Sequence, residues 1–222
     1  MRNPYYTPVT KMSDILKANI RRPTLFNLFE IEYSFNDDDL SAKEICHIYK
    51  ANLDIFLCIC NIYTFDDYIL EDHIPDEFPV DEAMNYITKA LDYFIRVNIA
   101  QIKTDYLEIK PVLINYYHSL AKLFNAFFDT VNENISSYHK IFEQYRKYPQ
   151  SVTFEQIRYT IDLDMKTNEI MDALIKYLSE MHASEEYRLH ADHLKFYLIF
   201  LRGDFNRHQT FSNATLKRLK TK

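Results

Sequence analysis

Gly203 is the only glycine among 222 residues. Glycine is the residue that takes positive φ at low cost in tight turns, phosphate loops and close backbone approaches. Phosphate-binding loops, dinucleotide fingerprints and nucleophile elbows each need two or more glycines at fixed spacing. None of them can be built here, which excludes Rossmann, P-loop and α/β-hydrolase proteins. What remains is a chain written mostly in helices.

The content supports a packed core. Hydrophobic residues make up 47% and charged residues 26%, ordinary for a globular chain. The large apolar groups are rings, 18 Tyr and 16 Phe with no Trp. Many tyrosines are therefore expected at helix seams, with the ring buried and the hydroxyl bonded. Cys46, Cys58 and Cys60 fall in one predicted helix, where the closer pair point to different faces. Free thiols and a reducing compartment are expected. The N-terminus lacks the apolar run of a cleaved signal peptide, and the longest apolar stretch, Leu53 to Tyr63, is interrupted by Asn61. It is far short of the roughly 20 residues of a membrane span. The expected setting is cytoplasmic, or delivery without a cleaved signal.

Start and stop signals outline the helices. A short helix ends before Pro23, and Thr24 caps a second through Phe29 and Tyr33. Ser41 followed three residues on by Glu44 forms a capping box and opens a helix to about residue 63. Its second half is apolar on all sides and belongs in the centre of the fold. Ala83, Ile87, Leu91, Phe94, Val97 and Ile102 mark another helix, from Val80 to about Tyr106. From Pro111 to Tyr145 an alternating three-and-four spacing predicts a rod of about 35 residues, roughly 50 Å long. The helix ending near Tyr106 is its expected antiparallel neighbour. Thr153 and Gln156 form a second capping box, and Ser184 restarts the pattern after a phase break beyond Met181. The last helix is expected to end at Gly203, with the glycine as a left-handed cap.

The fold class is all-α, an irregular antiparallel bundle of six to eight helices with long central ones. One domain is expected over residues 1–203, followed by a basic, flexible tail at 204–222. Charge is segregated: no Lys or Arg lies between Lys50 and Lys89, while nine acidic residues do. With a net charge of −6, nucleic acid is not favoured as the main partner. The acidic stretch interleaves carboxylates with rings, as a binding surface with apolar anchors inside a charged rim does. Asp66, Asp67, Tyr68, Glu71, Asp72 and Phe78 are its candidate partner-binding residues.

Candidate chemistry gathers on one late helix. His182, Glu186 and His190, with His193 beyond, fall within an arc of about 80° if the helix is continuous, which suits zinc or non-haem iron. Glu44 and His47 have the Glu-x-x-His spacing of carboxylate-bridged bundles, but a single such motif does not make that site. Arg188 followed by His193 is similar to the paired Arg–His pattern of the HEPN ribonucleases. That resemblance implies metal-independent cleavage of an RNA phosphodiester by Arg188 and His193 in one cleft. Against these stands the absence of a coherent active site. The leading expectation is a non-catalytic protein-interaction or adaptor module without cofactor, binding a protein partner through its acidic, aromatic surface.

Overall fold

Side-chain caps at Ser41, Asn52 and Thr153 open three of the described helices. The computed structural model describes residues 5–18, 27–34, 37–70, 79–182 and 184–220. It is an all-α bundle with long helices, and among the described residues the only β-type pairing is an isolated bridge between Lys11 and Ser41. In chain order the helices are α1 (Met12–Ala18), α2 (Ala42–Ile48), α3 (Leu53–Thr64), α4 (Val80–Tyr93), α5 (Ala100–Tyr116), α6 (His118–Lys147), α7 (Phe154–Glu180) and α8 (Glu185–Arg218). A π-helical segment, Phe94–Ile99, joins α4 to α5, and a single 3-10 turn, Pro149–Ser151, precedes α7. No described helix is long and apolar enough to cross a membrane. The chain separates into two compact units, residues 1–90 with 210–218, and 91–209 with 219–222.

In the first unit the predicted helix over 41–63 is two helices. The Ser41–Glu44 capping box opens α2 as expected. It closes at Lys50, whose φ is 54°. The Lys50 amide donates to the His47 carbonyl and the Ala51 amide to the Cys46 carbonyl at 2.9 Å, the double bond of a Schellman cap. Asn52 then caps α3, its Oδ1 accepting from the Ile55 amide at 3.1 Å. The sequence signal was this asparagine ahead of an apolar run; a lysine where glycine is usual hid the stop before it. Every residue of α3 from Ile55 to Tyr63 is buried, so its all-round apolar face does occupy a core. At about 1.5–3 kcal/mol per large aliphatic or aromatic group, that helix is a main source of the unit's stability. Asn61 is the polar exception, 3% exposed. Its Oδ1 accepts from the Tyr6 amide at 2.8 Å and its Nδ2 donates to the Tyr6 carbonyl at 3.3 Å, fastening the N-terminal segment as a strand neighbour would.

In the second unit α6 and α7 carry the core. The predicted rod starts at His118 instead of Pro111, because Tyr117 (φ −133°, ψ 51°) breaks the helical backbone and Pro111 lies inside α5. Its expected neighbour is present: Tyr106 of α5 packs on Phe124 of α6 with ring centroids 4.8 Å apart and donates its hydroxyl to Asn125 at 3.2 Å. Val97, expected in the core, is 46% exposed, whereas Phe94 and Ile102 are buried. The wider i→i+5 turn of the π-helical segment carries the buried face from Phe94 directly to Ile102. The Thr153–Gln156 capping box opens α7 as expected.

The end of the chain corrects the sequence reading most. Gly203 lies inside α8, with no positive φ, and the helix continues to Arg218. Residues 204–222 were expected to be a flexible tail; instead Phe205, Phe211, Ala214, Leu216 and Leu219 are buried. Half of the buried stripe is polar, formed by Asp204, His208, Gln209, Ser212 and Thr215, and a hydrophobic count does not see it.

Candidate binding groove

Lys43, His47 and Lys50 recur at i, i+4 and i+7 along α2 and its cap, which places three exposed basic groups on one face. That face borders an open groove of about 860 Å³ in the first unit. Its floor is apolar, with Leu28, Phe29, Leu53, Ile55 and Tyr86. Phe29 stacks on Tyr86 at 5.2 Å and meets Phe56 edge-on at 5.2 Å, which fixes the floor's rings. The opposite rim is α4, with Glu82, Asn85 and Lys89. Lys89 pairs with Glu30 at 2.6 Å, and Asn52 donates to Glu82. Lys43 and Lys50 have no acidic partner among the described residues.

The positive-φ residues among those described are Glu30 (55°) and Lys50 (54°), and both line this groove. Left-handed backbone at a residue with a Cβ costs roughly 1–2 kcal/mol. Such strain concentrates at binding sites, where the surrounding structure holds it in place. Cys46 lies at the groove's base with its thiol pushed up to about 12 by burial, so it is no nucleophile at neutral pH. Burial likewise raises Cys58, to about 11, and Cys60. All three cysteines are free and buried, as expected for small hydrophobes.

The acidic stretch is placed in part. Asp66 and Asp67 are exposed. Tyr68 is turned inward: its ring meets Tyr5 edge-on at 5.0 Å, and its hydroxyl reaches the Cys58 sulfur at 3.8 Å. Burial raises the Tyr68 phenol. Glu71, Asp72 and Phe78 lie outside the described residues.

The late-helix candidates separate. His182 precedes the start of α8 at Glu185 and is held by its backbone carbonyl, which accepts from Tyr117 Oη at 3.2 Å. It is not in phase with Glu186 and His190, as the break near Ser184 foretold. Among the described residues no three His, Cys, Asp or Glu side chains converge as a metal site. Arg188 lines a shallow groove with His182, Asp192 and Lys195. His193 instead faces Asp105, its Nδ1 3.8 Å from Oδ1. Arg188 and His193, five residues apart, thus lie about 140° apart around α8 and share no cleft within the unit. Asp105 is the residue that sequence reasoning missed. It is 4% exposed, its Oδ1 accepts from His190 Nδ1 at 3.0 Å, and its Oδ2 accepts from Gln101 Nε2 at 3.1 Å. The only sequence signal was a carboxylate one residue before a buried tyrosine in the apolar stripe of α5.

No protein-family profile matches this chain, and neither the curated proteins nor the solved structures contain a significant match to it.

Proposed function

We propose that the protein is a non-catalytic interaction module and that its partner contributes an acidic segment with apolar anchors, which lies in the groove bordered by α2 and α4. The observation that carries this reading is the Lys43, His47, Lys50 face set over an apolar floor, with the strained backbone of Lys50 at its end. Apolar side chains of the segment fill the floor while its carboxylates meet the basic face, the arrangement of a desolvated centre inside a charged rim. Asp66 and Asp67 belong to a second exposed acidic surface, which keeps its place in the proposal as a site for basic contacts outside the groove. Panning a displayed random dodecapeptide library on the protein tests it. Enrichment of peptides alternating Asp or Glu with Phe, Leu or Tyr, lost on the Lys43→Glu, Lys50→Glu double variant, is the expected result. No enrichment, or enrichment that the double variant retains, refutes the groove as the partner site.

A further inference from the structure

Asp105 presents a problem that its neighbours do not solve. A carboxylate with 5% of its side chain exposed needs compensating charge or several donors. Its partners are Gln101, His190 and His193, and among the described residues no lysine or arginine pairs with it. Both imidazoles approach the same oxygen by Nδ1, at 3.0 and 3.8 Å. Asp105 Oδ1 is within hydrogen-bond distance of His190 Nδ1, and a neutral His190 ring that donates to it keeps Nε2 as its lone-pair nitrogen; His193 Nδ1 stands beyond hydrogen-bond distance of the same oxygen. The two rings are 34% and 48% exposed and stand one turn apart on α8. His193 is further held edge-on against Tyr197, with ring centroids 6.4 Å apart.

We infer that His190 and His193 form a two-imidazole site for a divalent transition-metal ion, with Asp105 as the carboxylate that orients the His190 ring and lies beside that of His193. A buried carboxylate on the far nitrogen of a ligating histidine fixes the tautomer and raises the ring's basicity. A cation held by the two Nε2 atoms would place positive charge one imidazole away from the buried carboxylate. Zinc suits neutral imidazole and tolerates a coordination sphere completed by water. Two protein ligands leave such positions open. The site lies in the second unit and does not depend on the groove of the first.

The test is calorimetric titration of ZnCl₂ into the chelator-treated full chain, with nitrogen-detected NMR of the imidazoles. One zinc ion per chain is expected, bound through Nε2 of His190 and His193 and lost in the His190→Gln, His193→Gln double variant. Asp105→Asn is expected to weaken binding ten- to a hundred-fold. Circular dichroism confirms that each variant is folded, and if Asp105→Asn is not, the double variant and the imidazole spectra decide alone. No saturable uptake, uptake that the double variant keeps, or ligation through Nδ1 overturns the inference.

Discussion

Asp164 is a buried carboxyl of the second unit that opposes folding above the acid range, and replacing it by asparagine should stabilise the protein in a pH-dependent way. Its side chain sits on α7 at 1% exposure. Its oxygens accept from Asn134 Nδ2 at 2.8 Å and Tyr138 Oη at 2.7 Å, while its backbone carbonyl accepts from Gln209 Nε2 at 3.0 Å. Burial raises the carboxyl from 3.8 to about 6, outweighing the hydrogen bonds, which pull it down. The native state therefore holds its proton more tightly than the unfolded chain does. The resulting stability is fully present below pH 3.8 and is lost as pH rises through about 6. At 1.36 kcal/mol per pH unit the loss is about 3 kcal/mol by pH 8. Asparagine keeps the shape and an acceptor for Asn134, and its amide can donate to the Tyr138 oxygen once the Tyr138 hydroxyl proton turns away from it. Urea unfolding of both proteins from pH 3.5 to 8 should give near-equal stabilities at the acid end. The variant should gain progressively, reaching roughly 3 kcal/mol at pH 8. A carbon-detected titration of the wild-type Asp164 carboxyl locates the native midpoint independently. A midpoint at or below 4, or a stability difference that does not change with pH, refutes the reasoning.

Two further expectations follow from the same physics. His208 is 1% exposed and meets Phe94 edge-on at 5.4 Å, and burial pushes its imidazole from 6.5 down to about 3. The native state refuses a proton that the unfolded chain accepts, so stability is lost as pH falls from 6.5 toward 3, by about 5 kcal/mol in all. His208→Gln should flatten that limb of the stability–pH curve, and an unchanged slope in urea unfolding would count against it. The single glycine is also misplaced for stability: Lys50→Gly should relieve left-handed strain by about 1 kcal/mol, and Gly203→Ala should improve the interior of α8 by about the same amount. Thermal unfolding should show both single variants with raised midpoints, and a lowered midpoint in either one contradicts the backbone assignment at that residue.

The features legible in the sequence were those with a local chemical cause. The Ser41–Glu44 and Thr153–Gln156 boxes are hydrogen-bond patterns between near neighbours, and both open helices where expected. The burial of α3 followed from an apolar surface with no polar side to expose. What stayed hidden depended on groups distant in the chain. Asn61 reads as an interruption in an apolar run until the Tyr6 backbone is seen to fill both ends of its amide. Asp105 reads as a surface carboxylate until His190, 85 residues later, is found against it. The π-helical segment moved Val97 out of a core that its spacing alone had assigned to it.

The glycine argument itself divides along this line. Its exclusion holds, because a phosphate loop needs several glycines whatever the tertiary structure does. Its positive assignment of Gly203 as a cap does not hold, because a cap is chosen by where burial ends, and burial in α8 runs on through polar residues to the end of the helix. With no glycine available, the left-handed positions fall to Glu30 and Lys50, whose side chains border the largest groove among those described. At Lys50 the strained backbone and the charge of the proposed binding face meet in one residue, and the Lys50→Gly variant separates the two roles. If it gains stability and also loses the acidic peptides enriched in panning, the strain and the binding face are one feature. If it gains stability and binds them unchanged, Lys50 serves the fold alone and the basic face reduces to Lys43 and His47.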